Sequence, residues 1–420
     1  MRKSLFVSLL LVGSQMISAQ ETVSIGEGYV NEKWYNLEEG EVGSSVALDW
    51  EIAFDLKAQD AALRINDGNG VKLYEYAGGI EAWDDVDTTG MATWTPLYNS
   101  STEWKTGAFN QIKDPEYSQP MFDYGWGTYD MATHFVVGSR IFVIKLKGGA
   151  VKKIWIKQMA GGVYTFTYAN IDGTEEVDAS LVKADFEGKQ YGYYSITNNE
   201  VVDREPVLKA EWDLLFVKYM EEVDYMGNMV SSPVAGVLGS ENITLASVSE
   251  VTDVENYDAW YGQDFSSNIN TIGWEWEGYN FQTHSYTVLE DRVYFVKAQS
   301  GNVYKLVFTD FGGTATGDFV FTKELMSTAS ITDNGIQNPE VLVYPNPASS
   351  TVSLVLNNLQ DQQAEVQILN LAGQAVYQNN VVGDSNFEVK NIAIDHLNAG
   401  VYFVKVVSGN QEVTNKLIVR

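Results

Sequence analysis

The 420-residue chain has no cysteine, which excludes disulfides, thiolate metal sites and a cysteine nucleophile together. Histidine is nearly as scarce, with three residues, so any imidazole chemistry rests on very few positions. Positive charge is also short: 27 Lys and Arg face 56 Asp and Glu, for a formal net charge of −29. Nucleic acid and anionic lipid are repelled by such a chain. The excess acid lies mainly ahead of residue 340 and reads as a solvated surface that keeps the protein soluble. No apolar run approaches the roughly 20 residues of a spanning helix, so no membrane span is expected. Serine nucleophile elbows, phosphate loops and His-Glu-x-x-His sequences are absent, and nothing argues for an enzyme.

What is present begins with an export signal. Met1 to Ala19 combines Arg2 and Lys3, an apolar stretch from Leu5 to Val12, and a cleavage region at Ser18-Ala19-Gln20, the layout of a signal peptide over residues 1–19. The mature protein should therefore leave the cytoplasm. Aromatic residues make up 13% of the chain, with 24 Tyr and 11 Trp, which favours pleated, half-buried surfaces. Runs such as Arg140-Ile-Phe-Val-Ile-Lys145, Lys153-Ile-Trp-Ile-Lys157, Val163-Tyr-Thr-Phe-Thr-Tyr168 and Arg292-Val-Tyr-Phe-Val-Lys297 predict strands. The length calls for two or three domains, and the fold class is all-β.

Part of the chain is written twice. Trp50-Glu-Ile-Ala-Phe54 matches Trp212-Asp-Leu-Leu-Phe216, with Glu41-Val42 and Glu200-Val201 ahead of them. Trp126 to His134 lies over Trp276 to His284 without a gap, and Arg140 to Lys145 over Arg292 to Lys297. The strands that follow, Val151 to Ile156 and Val303 to Phe308, continue the match. Blocks in the same order predict a duplicated β unit, over residues 21–172 and 178–326. Residues 327–339 lack pattern and read as a linker. Beyond them Val352, Leu354 and Leu356, then Ala364, Val366 and Ile368, Tyr402, Val404 and Val406, and Leu417 and Val419 alternate, which predicts a small β-sandwich over residues 340–420.

That last segment carries Tyr344-Pro-Asn-Pro347, Val366-Gln-Ile-Leu-Asn-Leu-Ala-Gly-Gln374, Leu397-Asn-Ala-Gly-Val-Tyr-Phe-Val-Lys405 and Asn415-Lys-Leu-Ile-Val-Arg420. On these residues it resembles the type A sorting domain of the Bacteroidota type IX secretion system, with an immunoglobulin-like fold. The resemblance implies passage across two membranes, contact with the secretion machinery, and a protein secreted or held on the outer-membrane surface.

The repeated unit resembles the HmuY-like family of surface β-proteins, some of which capture haem. The Trp50 and Trp212 strands carry this resemblance, together with Arg292 to Leu306, a strand, a Gly turn and a Tyr-Lys-Leu strand. Haem or a related porphyrin is the ligand it implies. Haem iron takes His, Met or Tyr at its axial positions. His134 and His284 occupy one place in the two repeats, each after a Trp, a Tyr and a Thr. The candidate site is thus His134, Tyr129 and Met131 in the first unit and His284 and Tyr279 in the second, with Met121, Met220, Met226 and Met229 as further donors. The family draws both axial ligands from one unit, whereas here each unit offers one His. The bland alternative is that the Thr-His pair ends a strand and was copied with the fold.

The alternative function is a glycan-binding or structural surface protein without a cofactor, using aromatic pairs such as Trp94 with Trp104, Trp260 with Tyr261, and Trp274 with Trp276. A hydrolase would need two facing carboxylates. The pairs Asp84-Asp85, Glu175-Glu176 and Glu221-Glu222 carry no specific signal, because neighbours on a strand point to opposite faces. Asp84-Asp85-Val-Asp87 lacks the Gly-containing spacing of a calcium loop. His396 reads as structural.

Overall fold

The computed structural model describes residues 19–57, 61–113, 122–207, 212–280, 282–283, 285–327, 340–357, 363–371, 373–382, 387–408 and 411–420. Nearly all of the expected signal peptide and linker, with Met121 and His284, lie outside these residues. The chain divides into two compact units, one up to Ser330 and one from Ile331. Among the described residues both are β, with only short helical turns, as the runs of Val, Ile, Tyr and Phe predict.

The larger unit opens with β1 (Ala19–Ser24), β2 (Asn31–Asn36), β3 (Gly40–Val46), β4 (Ile52–Asp55), β5 (Leu63–Ile65) and β6 (Lys72–Tyr76). Further along come β7 (Gly127–Asp130), β8 (Phe135–Gly138), β9 (Ile141–Lys145), β10 (Val151–Ala160) and β11 (Val163–Asn170). The order then starts again with β12 (Val177–Val182), β13 (Tyr191–Ser195), β14 (Glu200–Val202), β15 (Leu214–Tyr225), β16 (Asn228–Gly239) and β17 (Thr244–Val248). It closes with β18 (Glu277–Asn280), β19 (Ser285–Val288), β20 (Val293–Lys297), β21 (Val303–Phe311) and β22 (Asp318–Ser327).

The two series are not packed as two separate bodies, because each lends its opening strands to the other. Strand β1 pairs with β22, through Ala19↔Lys323 to Ser24↔Asp318, and β12 pairs with β11. Likewise β2 pairs with β15, through Leu214↔Tyr35, and β13 pairs with β4, through Tyr193↔Ala53. The cores follow the exchange. One gathers Phe54, Trp126, Phe142, Tyr164 and Phe166 with Leu181, Phe186 and Tyr194. Its counterpart gathers Val23, Ile25, Tyr35 and Leu37 with Phe216, Trp276, Phe308 and Phe319. Burying each such side chain stabilises the fold by about 1.5–3 kcal/mol, so neither series keeps its full core without the other.

A third cluster, with Trp34, Trp104, Trp212, Tyr191 and Tyr193, sits at the seam. There the Arg204 guanidinium donates to Glu32 at 2.7 Å, with Asp49 3.0 Å from its Nε. Its plane lies against Tyr193, Trp34 and Trp50, with centroids 5.0, 5.5 and 5.5 Å away. Beside it Glu205 is buried and accepts from the backbone N–H of Gln190 and Tyr191 and from the Tyr193 hydroxyl. Burial outweighs these donors and pushes the Glu205 carboxyl up to about 7.

Two local devices fix the sheets. The β15–β16 hairpin turns on Met226 and Gly227, both at positive φ (55° and 84°), the two-residue turn whose twist matches the strands. Gly138 lies so close to β10 that a Cβ would stand 1.7 Å from the Ile156 carbonyl oxygen, so only glycine allows that contact.

The smaller unit has β23 (Glu340–Tyr344), β24 (Thr351–Asn357), β25 (Gln363–Leu369), β26 (Ala375–Val382), β27 (Phe387–Ala393), β28 (Gly400–Ser408) and β29 (Gln411–Val419). They form sheets in the orders β23-β24-β27 and β26-β25-β28-β29. Between them lies one core of Val352, Leu354, Val366, Ile368, Val404, Val406 and Leu417, the positions the alternation picks out. The Pro-Asn-Pro motif is explained by Asn346, whose amide donates to Lys416 O at 2.7 Å and accepts from Ile418 N at 2.8 Å.

Candidate functional site

Of the residues picked from sequence, Tyr129 and His134 come together. Tyr129 lies on β7 and His134 in the loop to β8, with its Nδ1 2.7 Å from the Tyr129 hydroxyl. The loop is built by Asp130, whose side chain accepts from the backbone N–H of Ala132 and Thr133 at 2.8 and 3.1 Å. Those N–H groups hold the Asp130 carboxyl below its ordinary value. His134 closes the loop as a single left-handed residue, φ 60°, its N–H donating to Asp130 O. Phe122 stacks on Tyr129 at 5.4 Å, and Met131 is exposed.

In the second series Asn280 builds the same kind of loop, accepting from the N–H of Gln282 and Thr283. Tyr279 is exposed, with its ring 5.0 Å from that of Tyr286. Met226 and Met229 project from the β15–β16 turn, 87% and 63% exposed, and Met220 is half-buried within β15. Among the described residues no group of three or more His, Asp or Glu is placed to hold a metal ion.

The aromatic pairs divide. Trp104 packs on Trp212 in the seam, with ring centroids 6.4 Å apart, while Trp94 lies against Tyr74 and Tyr76. Trp260 meets an exposed Tyr261. Trp276 is fully buried and stacks on Phe308 at 4.2 Å. Trp274 is only half-buried, because both residues precede β18, where strand alternation does not yet apply.

Trp274 faces instead a cavity of about 200 Å³ that no sequence motif announces. Strand β15 supplies Tyr219, Glu221 and Glu222 to its wall, the stretch before β18 supplies Trp274 and Glu275, and Arg292 with Tyr294 closes it. Gly273 ties that stretch to β16 through reciprocal 3.0 Å hydrogen bonds with Val237. Glu221 uses both oxygens inside the fold, accepting from Ser101 at 2.7 Å and Asn270 at 2.8 Å.

Two donors on this wall, the buried Tyr219 hydroxyl and the buried Arg292 Nε, have no hydrogen-bond partner of ordinary geometry among the described residues. Tyr219 is 6% exposed; burial, with Glu221 and Glu275 beside it, drives its phenol far above the ordinary value. A Cβ on Gly273 would stand 3.3 Å from its hydroxyl, which places that hydroxyl at the cavity wall. His134, Tyr129, Met131 and Tyr279 do not line this cavity. Glu221 and Glu222 were visible as a pair, but Tyr219, Arg292 and Tyr294 look in sequence like ordinary strand residues.

No curated protein matches the chain. Among solved structures, dimeric latent PorU from Porphyromonas gingivalis is 12% identical with a TM-score of 0.19, covering 68% of this chain and 32% of its own. The chain thus spans about a third of that protein's length. The BSP domain of a biofilm associated protein is 10% identical with a TM-score of 0.17, covering 100% of this chain and 84% of its own. Residues 342–420 match the family described as the secretion system C-terminal sorting domain. This segment is a type IX sorting domain, so the protein engages that machinery and is delivered to the cell surface or the extracellular space.

Proposed function

We propose that the larger unit is the exported cargo and acts as a non-enzymatic binding protein that holds a small polar ligand in the cavity beside Trp274. One observation carries this reading: two buried donors, on Tyr219 and Arg292, line the same hollow with no hydrogen-bond acceptor of ordinary geometry among the described residues. A buried donor left unpaired costs about 1–3 kcal/mol, and a ligand that supplies acceptors removes that cost. Binding is favoured over hydrolysis because Glu221 is committed to Ser101 and Asn270 as part of the wall. A thermal-shift panel of monosaccharides, amino acids and small organic acids tests it, since a ligand at 100 times its Kd stabilises by about 2.7 kcal/mol. If no compound shifts the wild-type midpoint, or if Tyr219→Phe leaves the shift intact, the cavity is not the site.

Haem capture by HmuY-like repeats is the second reading, favoured by the 2.7 Å contact between Tyr129 and His134. The pair sets a phenol oxygen beside an imidazole nitrogen, and both Tyr and His are axial haem donors. Haemin titration should then give a sharpened Soret band that weakens in both Tyr129→Phe and His134→Ala. A band unchanged in both variants, or none at all, removes this reading.

A further inference from the structure

The two series allow a comparison that identifies the partner missing from the Arg292 Nε. Arg140 and Arg292 each stand immediately before matched strands, β9 and β20. Glu75 lies opposite Phe142 in the β6–β9 pair, and Ser247 lies opposite Tyr294 in the β17–β20 pair. Phe142 and Tyr294 are each two residues past their arginine, so Glu75 and Ser247 are equivalent. Counting three residues back from Trp126 and Trp276 makes Asp123 and Gly273 equivalent as well.

In the first series Arg140 is clasped by both acids, with Asp123 3.4 Å from Nη1 and Glu75 3.6 Å from Nε. In the second series glycine and serine stand in their places, Tyr294 lies beside the guanidinium, the Arg292 Nε is buried without a partner among the described residues, and the cavity occupies the space beside it. Resting on the cavity reading above, we infer that the ligand itself brings a carboxylate to the Arg292 Nε, where Arg140 has Glu75, and that it is a small zwitterion of the α-amino acid class.

The rest of the wall decides between a simple anion and a zwitterion. Glu221, Glu222 and Glu275 share the cavity with the single guanidinium, so a ligand that is only negative meets three carboxylates against one cation. A group that is anionic at one end and ammonium-bearing at the other satisfies both signs within a few ångströms. Glu222 and Glu275 are exposed and form the wet side of the hollow, where an ammonium keeps part of its hydration. The buried Tyr219 hydroxyl adds a second donor for the ligand carboxylate, as a carboxylate accepts from several donors at once. Trp274 offers an apolar face for the side chain.

The test is isothermal titration of the full-length exported protein with a set of free L-amino acids, the amines lacking their carboxylate, the acids lacking their ammonium, and glucose and galactose. At least one amino acid should bind, and removing either charged group should weaken it roughly tenfold or more, the range of a hydrogen bond to a charged partner. Ser247→Glu should restore the clasp that Glu75 gives Arg140, weakening binding roughly tenfold or more while the unfolding midpoint holds or rises. Because position 247 is an exposed strand site, that variant keeps the fold, and near-ultraviolet circular dichroism checks it. An amine that binds as well as its amino acid, or affinity unchanged in Ser247→Glu, overturns the inference. Binding of a monosaccharide alone overturns it and leaves the cavity reading standing, whereas no binding by any compound overturns both.

Discussion

Replacing Glu205 by Gln should flatten the pH dependence of cargo stability. Burial pushes this carboxyl up to about 7 from an ordinary value of 4.5, so between those values the folded chain holds a proton that the unfolded chain has released. Stability contributed by the group is therefore fully present below pH 4.5 and is lost as pH rises through 7. A difference of about 2.5 units corresponds to roughly 3 kcal/mol. Gln is the shape of the protonated acid: its oxygen can accept from Gln190 and Tyr191 as Oε1 now does, and its amide can donate to a turned Tyr193 hydroxyl. Asp67, pushed up to about 6 by burial, tilts both proteins the same way, so the difference between them isolates Glu205. Urea unfolding at pH 5 and pH 8 measures it. The wild type should lose roughly 2.5 kcal/mol more than Glu205→Gln over that interval, and parallel losses would refute the assignment.

Arg204→Met should cost about 3–5 kcal/mol, since Glu32 would be left buried without its cation; a loss under about 1 kcal/mol in urea unfolding would contradict the seam described above. A fragment of residues 19–176 keeps β1 to β11 but lacks β12 and β13, so it should not fold as a monomer; a cooperative, monomeric unfolding transition by circular dichroism and gel filtration would show that the exchange is dispensable. Removing residues 331–420 should leave the cargo in the periplasm, read by immunoblotting of cell fractions, and normal appearance of the cargo outside the cell would end the export account.

The strands were legible where burial on both faces writes an unbroken apolar run, as in β9 and β20, or where one buried face writes strict alternation, as in β28. Their partners were not legible. Alternation tells which side of Tyr35 or Leu214 is buried but not that these residues lie opposite each other, because pairing is chosen by the whole chain. The shared place of His134 and His284 was visible, yet the left-handed backbone and the exposure of His134 follow from the Asp130 turn, which sequence shows only as an acid four residues earlier. Arg292 stood inside a matched block. Its meaning came from the residues across the sheet and before Trp276, where a register was needed to set Ser247 against Glu75.

The pairing of β1 with β22 joins positions such as Gln20 and Thr322, so the first strand of the cargo has no edge to lie on until the last has formed. Closure across three hundred residues is slow in any chain. For an exported protein this sets an order: the sheet that holds β1 and β22 can close only once almost the whole cargo lies on one side of a membrane.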